Sequence, residues 1–236
     1  MIVTDHFVYI HTSRTGGTFL NRLIMNQVPG ARMIQYHGCL RDLPAQFAEL
    51  PVIGFVRNPY DWYVSMFYDY RRKQQYVFQV LSDMGERDFD DTVTRFLNLG
   101  DGSDDSQSLL QRLAAAAPRE IRRQKPGRRE LPGLIARDFE QYTDNIGYFS
   151  WLFRRMYATD RSHDVRIGRF ENLRDEARRL FEETGTPVTA RIDAYLNQAQ
   201  PMNSSPRPTD TVYSDALAGL IAERDSELIK TYGYAR

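Results

Sequence analysis

The order of apolar and polar residues along the chain predicts strands and helices in alternation. Short apolar or alternating runs predict four strands, at residues 7–10, 31–36, 52–56 and 165–170. Apolar positions at helical spacing predict helices between and after the strands, at residues 19–28, 59–67, 174–184 and 214–230. Strands and helices that follow one another in this way are typical of an α/β fold, with a central parallel sheet flanked by helices.

The middle of the chain, at about residues 75–160, breaks this alternation and predicts a helical and loop insertion within one domain of residues 1–236. Small and acidic residues at 100–106 predict a flexible loop. Residues 118–130 carry a strong basic excess around a Pro-Gly turn and predict a mobile basic loop, either a solvated surface or a lid that attracts an anion. Most aromatic residues of a predicted helix at 144–158 are expected to pack in the core.

The composition limits the classes of partner. The chain has 31 basic and 31 acidic residues, so we expect neither nucleic acid nor a membrane surface as a partner. Cys39 is the only cysteine, which excludes an intrachain disulfide, and the four histidines do not lie at metal-ligand spacing, so no metal site is expected. We find no apolar run that approaches the roughly 20 residues of a membrane span, and no signal-peptide pattern at the start. These features together predict a cytoplasmic protein.

Residues 12–18, between the first predicted strand and its helix, have the composition of an anion-binding loop. Gly16 and Gly17 let the backbone approach a ligand, and the N–H groups at the start of the helix attract negative charge. The guanidinium of Arg14 and the hydroxyls of Thr15 and Thr18 add hydrogen-bond donors. The loop therefore predicts a site for a phosphate-like anion, and a glycine-containing turn without a ligand is the alternative. It is not the G-x-x-x-x-G-K-[ST] loop of nucleotide triphosphatases, because no lysine follows the glycines.

Two further segments carry candidate chemistry. Arg57 ends the apolar run 52–56, and Ser65 follows eight residues later in a predicted helix. A guanidinium fork and a hydroxyl suit a phosphate monoester, although Arg57 could also merely cap the strand. His37 follows the predicted strand 31–36, where the edge of a parallel sheet presents functional groups. Imidazole suits general base catalysis, and a hydrogen-bonded histidine without a catalytic role is the alternative.

Taken in order, these segments resemble the sulfotransferases that use 3′-phosphoadenosine 5′-phosphosulfate (PAPS), in their carbohydrate-type and bacterial branch. The run Ser13-Arg14-Thr15-Gly16-Gly17-Thr18 is similar to the Pro-Lys-Thr-Gly-Gly-Thr loop of that family, with Ser for Pro and Arg for Lys. Residues 52–65, with Val-Arg-Asn-Pro and a later Ser, resemble its 3′-phosphate element. Weaker resemblances lie at residues 169–173, 203–205 and 232–234.

The resemblance implies a three-layer P-loop-like fold and transfer of a sulfuryl group from PAPS to an acceptor hydroxyl or amine, without a metal. It implies that residues 14–18 and Phe19 grip the 5′-phosphosulfate, that Arg57 and Ser65 hold the 3′-phosphate, and that His37 is the general base. Arg14 would stabilise the leaving oxygen, but an arginine, unlike the family's lysine, does not give up a proton. Near the C-terminus, the resemblance implies three further contacts with PAPS or with its product PAP (3′-phosphoadenosine 5′-phosphate). These residues are Asn203, Ser204 and Arg207.

Two other functions stay open. A P-loop nucleotide kinase shares the architecture, but it requires a lysine inside the loop and acidic magnesium ligands. A non-catalytic nucleotide-binding protein would keep the binding site and lose the chemistry through the change from Lys to Arg. The sequence does not identify the acceptor, which in this interpretation is a small molecule or a glycan. It also does not indicate the oligomeric state.

Overall fold

The computed structural model of the chain describes residues 1–120, 133–157, 163–200 and 213–236. The chain divides into two compact units, of which the first is Met1–Arg57 with Phe153–Ser204 and the second is Asn58–Leu152 with Ser205–Arg236. The first unit contains the sheet, and the second is built from helices. Most of the predicted insertion falls in the second unit, and the single domain of residues 1–236 stays a prediction.

The helices and strands have the following bounds. The strands are β1 (Ile2–Val3), β2 (Val8–Tyr9), β3 (Arg32–Met33), β4 (Val52–Val56) and β5 (Val165–Arg169). The helices are α1 (Gly17–Gln27), α2 (Pro59–Lys73), α3 (Tyr76–Leu81), α4 (Phe89–Asn98), α5 (Asp104–Ala116), α6 (Ala136–Glu140), α7 (Tyr148–Tyr157), α8 (Leu173–Glu183), α9 (Ala190–Gln198), α10 (Asp215–Arg224) and α11 (Ser226–Tyr232). Single 3₁₀ turns lie at Leu40–Asp42, Ala45–Phe47 and Phe170–Asn172. No helix of the described ranges is long and apolar enough to cross a membrane.

The fold is α/β, and its sheet is mixed rather than parallel throughout. The strand order is β3-β1-β2-β4-β5, in which β2, β4 and β5 are parallel and β1 is antiparallel to both of its neighbours. The prediction of a parallel sheet is therefore wrong at one edge. The reason is the short turn between β1 and β2, in which the N–H of Thr4 donates to the carbonyl of Phe7 at 3.0 Å. A turn of this length joins only antiparallel strands, because a parallel pair requires a long crossover.

The strand predicted at residues 31–36 is shorter and lies differently in the sheet. It is reduced to β3, two exposed residues that pair antiparallel with β1, and the N–H groups of Ile34 and Gln35 then donate to the carbonyl of Met1. His37 consequently follows an antiparallel edge strand, not the carboxyl end of a parallel one. The argument from sheet topology that located His37 at a functional edge is therefore wrong. The position of His37 has a different cause, which is a contact of its own side chain.

One face of the sheet packs against helices of the first unit. The core on this face joins apolar residues of the strands to those of α1, α8 and α9, and the rings of Phe7 and Phe181 stack with centroids 5.4 Å apart. Every residue of β4 is buried, as the predicted apolar run requires. Helix α1 buries Phe19, Leu20, Leu23 and Ile24, which are the positions at helical spacing in the sequence.

The second unit is a helical body with an aromatic core. Helix α2 begins at Pro59, as predicted, because Asn58 accepts a hydrogen bond from the N–H of Tyr60 and caps the helix. The ring of Trp62 stacks on Phe149 at 4.3 Å, and further aromatic pairs surround these two. Tyr148, Phe149 and Trp151, which the sequence interpretation assigned to the core, are buried here.

Two boundaries in the second unit differ from the prediction. The loop expected at residues 100–106 ends early, because the hydroxyl of Ser103 accepts from the N–H of Ser106 and starts helix α5. The single helix expected at 214–230 is split into α10 and α11 at Asp225. At Ser103, a polar side chain that accepts a backbone N–H determines where the helix begins.

The carboxyl group of Asp225 is fully buried where α10 meets α11. The N–H of Ser150 donates to its Oδ1 at 2.9 Å, and a Cβ on Gly147 would lie only 2.6 Å from its oxygens. Burial raises the pKa of Asp225 from 3.8 to about 6, although hydrogen bonds from Ser150 and Tyr63 act in the opposite direction. The folded carboxyl thus keeps its proton over a pH range in which the unfolded carboxyl has lost it.

We expect this group to make the protein less stable as pH rises from about 4 to 6. Its contribution favours the folded state below pH 4 and is lost as pH passes the folded pKa, and a shift of about two pKa units corresponds to roughly 3 kcal/mol. Urea unfolding of the wild type and of Asp225→Asn across this range measures the difference, because the variant lacks the titrating group. Asp215→Asn, at an exposed ion pair with Arg236, is the control and should keep the wild-type profile. Parallel profiles for wild type and Asp225→Asn would contradict the assignment.

Candidate anion-binding site

The predicted anion loop connects β2 to α1 and turns sharply. Arg14 and Gly16 both have left-handed backbone conformations, with φ of 65° and 84°. Gly16 is the N-cap of α1, and no side chain caps that end of the helix. Several other helices begin at a residue whose side chain does accept a backbone N–H, namely Asn58, Asp88, Ser103, Thr189 and Ser214. The start of α1 therefore presents its amides and partial positive charge without a built-in acceptor side chain.

A network of hydroxyl groups holds the loop in place. The buried hydroxyl of Thr15 donates to the carbonyl of Thr12 at 2.8 Å, and the hydroxyl of Thr12 donates to Tyr157 Oη at 2.9 Å. Tyr157 Oη also accepts from the N–H of Phe55 and donates to the carbonyl of Ile10, at 3.3 and 3.2 Å. The sequence analysis assigned the hydroxyl proton of Thr15 to an anion. In the structure this proton is donated to a backbone carbonyl within the loop.

Tyr157 is a structural residue from the predicted helix at 144–158, most of whose aromatic residues were expected in the core. Its ring lies beside β4, where a Cβ on Gly54 would stand 2.0 Å from Oη. Only a glycine at position 54 leaves room for this hydroxyl between the two strands. The glycine within an otherwise apolar strand was the one signal in the sequence for such a close approach.

Arg57 lies beside the loop. Strands β2 and β4 are parallel neighbours, so the residues that follow them lie at the same edge of the sheet. Its side chain is buried, and Nη1 donates to the carbonyl of Arg14 at 3.3 Å. The guanidinium also lies over the ring of Phe170, 4.5 Å from its centroid. Arg57 and the loop at residues 12–18 are therefore adjacent within the first unit.

The weaker segment at residues 169–173 reaches the same place. A Cβ on Gly16 would stand 2.7 Å from Leu173 Cδ2 and 3.3 Å from Phe170 Cδ2. The left-handed turn at Gly16 is thus packed against the segment that follows β5. Three separate parts of the sequence that carried the resemblance come together around residues 14–18.

The other residues predicted to contact the nucleotide do not lie in the described part of the first unit. Ser65 is buried on α2 and belongs to the second unit, so its part in the 3′-phosphate site stays a prediction. Asn203, Ser204 and Arg207 lie outside the described residues, as does the basic loop from residue 121 onward.

His37 is bound to the loop by its own side chain. Its Nδ1 lies 3.2 Å from the carbonyl oxygen of His11, and the residue is buried with a φ of 49°. Arg14 and His37, the two residues proposed for catalysis from sequence, are thus both non-glycine residues in the left-handed region. Such backbone conformations cost about 1–3 kcal/mol each and cluster at functional sites.

His11 is a site residue that the sequence interpretation missed. Its ring lies 4.5 Å from that of His37 between centroids, and it covers Gly17, where a Cβ would stand 1.7 Å from Nε2. Tyr36 contacts both rings edge-on, at 5.7 and 4.4 Å. The signal for His11 was its place directly after the predicted strand at residues 7–10 and before Thr12.

The chemistry around the loop favours binding through cations and N–H groups. Burial raises the pKa of the Cys39 thiol to about 11, helped by its hydrogen bond to Asp42, so this thiol is protonated at neutral pH. Burial also raises the pKa of Tyr9, which lies under the His11 ring. Within the described ranges no group of three or more His, Cys, Asp or Glu side chains is arranged to hold a metal ion.

Comparison with known proteins adds no family to this description. No protein-family model matches the chain, and no curated protein matches it.

The contact between the His11 ring and Gly17 gives a direct test of this geometry. We expect Gly17→Ala to destabilise the protein by about 1–3 kcal/mol, because its methyl group would overlap the imidazole. In a His11→Ala background the same change should cost nothing or stabilise, which a double-mutant cycle of unfolding free energies measures. Gly219→Ala is the matched control, since a Cβ there meets no atom within 4 Å and alanine favours the helix by about 1 kcal/mol. An equal cost of Gly17→Ala in both backgrounds would show that the ring lies elsewhere.

Proposed function

We propose that the protein is a PAPS-dependent sulfotransferase that transfers a sulfuryl group to a hydroxyl or amine of a small molecule or glycan. The observation that carries the proposal is the hydrogen bond from Arg57 Nη1 to the carbonyl of Arg14. This contact makes Arg57 a direct neighbour of residues 14–18, which supports one ligand with phosphate groups at two positions. A single corner would support only a general anion site.

The residues around the loop fit a nucleotide with phosphate groups at both ends of one ribose. Each corner has its own guanidinium, Arg14 on the loop and Arg57 at the end of β4. The uncapped start of α1 adds amide donors, and glycines at 16 and 17 bring the backbone close to the ligand. This donor set is cationic and neutral, with no carboxylate among residues 10–20, which suits a ligand of high negative charge.

The nucleotide supplies an activated sulfuryl group, and the residues supply position and charge stabilisation. His37 Nε2 takes the proton of the acceptor hydroxyl as the new O–S bond forms. Arg14 and the α1 amides stabilise the phosphate oxygen that receives the electron pair of the broken S–O bond. Arg57 holds the 3′-phosphate and so fixes the distance from the acceptor. Arg14 keeps its proton throughout, so it acts through charge alone.

The kinase alternative differs in the position of the basic residue. Arg14 precedes the glycines, where a nucleotide kinase has a lysine after them. A magnesium-dependent ATP assay separates the two functions, and binding of PAP without turnover against a broad panel of acceptors would indicate a non-catalytic protein.

We expect the protein to bind PAP at least about 100-fold more tightly than AMP, because a buried arginine pairs with the additional phosphate. Isothermal calorimetry with both nucleotides measures the ratio. Arg57→Ala should remove most of the difference, and Arg57→Lys should restore only part of it, since lysine lacks the planar fork. Arg166→Ala, which removes a half-buried arginine paired with Asp164, is the control and should leave the ratio unchanged. Equal affinity of the wild type for PAP and AMP would refute the proposed function.

We expect His37→Ala to lower turnover by about 100-fold or more while PAP affinity changes little, which is the usual scale for loss of a general base. The comparison requires kcat with a competent acceptor and calorimetry with PAP on the same preparations. Near-normal turnover in this variant would exclude His37 as the base without affecting the assignment of the nucleotide.

A further inference from the structure

We propose that a groove between α1 and α9 binds an acidic saccharide, which is a sugar chain that carries carboxylate or sulfate groups. The groove has a volume of about 490 Å³, in the range of sites for small ligands. Both helices belong to the first unit. On α1 the groove is lined by Asn26 and Gln27 at the C-terminal end, whereas the anion loop joins the N-terminal end of that helix. The groove is therefore separate from the nucleotide site of the proposed function.

The polar side chains that line the groove have one property in common. Within the described residues, none of them forms a hydrogen bond with another part of the chain. They are three primary amides, a guanidinium and a phenol, from Asn26, Gln27, Gln198, Arg191 and Tyr195. Amide groups both donate and accept, and a guanidinium donates several N–H groups. A ligand with many hydroxyl groups, each of which also donates and accepts, matches this set.

The other polar side chains of α9 are paired within the protein. The carboxylate of Asp193 accepts from Arg178 at 2.7 Å and from the amide of Asn197 at 3.0 Å. Arg174 donates to the carbonyls of Asn197 and Ala199, at 3.0 and 2.6 Å, and holds the end of the helix against α8. The polar groups on this face of α9 thus stabilise the fold, whereas those on the groove face do not.

Arg191 lies where a helix disfavours a cation. It is the second residue of α9, and the first turn of a helix carries partial positive charge. The acidic residue of the same turn, Asp193, pairs with Arg178 instead. An arginine that lowers helix stability, and that forms no ion pair among the described residues, is expected to serve a ligand. Since the described lining contains no acidic side chain, the charge of Arg191 favours a ligand with a negative group.

Tyr195 gives the groove a flat apolar surface. Its ring packs on Phe19 with centroids 5.2 Å apart, and the residue is half-buried. The neighbouring Ala194 and Ala199 have small side chains that leave room for the ring of a ligand. The C–H face of a sugar ring packs on an aromatic ring while its hydroxyl groups reach the amides. A peptide would require apolar pockets for its side chains, and the apolar lining is limited to Tyr195 and the two alanines.

A titration with defined saccharides tests the proposal without a nucleotide. The probes are tetrasaccharides of hyaluronan, which has carboxylates, of chondroitin sulfate, which also has sulfates, and of cellulose, which is uncharged. We expect an acidic probe to shift the side-chain amide signals of Asn26, Gln27 and Gln198 saturably in ¹H–¹⁵N spectra, at lower concentration than cellulose tetrasaccharide does. Alanine variants of the three residues assign the signals. Binding of both acidic probes would identify carboxylate as the recognised group, and binding of the sulfated one alone would identify sulfate.

Three results of this titration would overturn the proposal. The first is the absence of a saturable shift with either acidic probe. The second is equal affinity for the acidic and the uncharged tetrasaccharides. The third is a saturable shift with an oligoglutamate peptide when no saccharide causes one, because the groove would then be a peptide site.

Variants of the lining locate the binding. We expect Arg191→Ala to weaken the acidic probe by about 10- to 100-fold, the scale of hydrogen bonds to a charged group, and Gln198→Ala to weaken it by about 2- to 10-fold. Arg178→Ala removes the same charge and Asn197→Ala removes an amide bonded to Asp193, so both are controls and should bind as the wild type does. An equal loss in Arg178→Ala and Arg191→Ala would show general attraction by charge and overturn the site.

The nucleotide assignment is tested separately. Arg191→Ala should leave the affinity for PAP unchanged, and a loss of PAP binding in this variant would contradict a separate saccharide site. Saccharide binding that depends on Arg191 supports the groove even if the wild type binds PAP and AMP equally. Absence of saccharide binding overturns the groove and leaves the ratio of PAP to AMP affinity as the test of the proposed function.

Discussion

The anion loop depends on one buried hydroxyl. Tyr157 Oη accepts hydrogen bonds from Thr12 and from the N–H of Phe55 and donates to the carbonyl of Ile10, so it connects the loop to β2 and β4 at once. Loss of this group would leave buried polar atoms unsatisfied, at about 1–3 kcal/mol for each. The hydroxyl fits only because Gly54 has no side chain. A single hydroxyl group, which both donates and accepts hydrogen bonds, thus fixes the loop to the two strands.

Two residues at the candidate site have strained backbone conformations, and side chains that donate to backbone carbonyls hold both of them in place. Arg14 is left-handed, and Arg57 donates to its carbonyl; His37 is left-handed, and its own ring donates to the carbonyl of His11. Each strained residue is therefore fixed by a hydrogen bond from a buried side chain. Such fixing leaves the backbone of each residue with one conformation.

The accuracy of the sequence predictions followed the length of each signal. The five-residue run of β4, the alternation of β5 and the helical spacing of α1 were sufficient to predict those elements. Strands β1 and β3 have two residues each, too few for any periodicity, and the antiparallel pairing of β1 with β2 follows from the short turn between them. The helix start at Ser103 was missed because a serine among acidic residues also suits a loop.

The sequence alone was enough to indicate an α/β fold and the loop that connects β2 to α1, because spacing along the chain reports which face is buried and where strands end. It could not indicate Tyr157 or His11 as parts of the site. Tyr157 contacts Ile10 across 147 residues, and the His11 ring rests in the space that Gly17 leaves. Periodicity states that a side chain is buried but not against which partner. Only the packed tertiary structure brings such distant groups within hydrogen-bond distance.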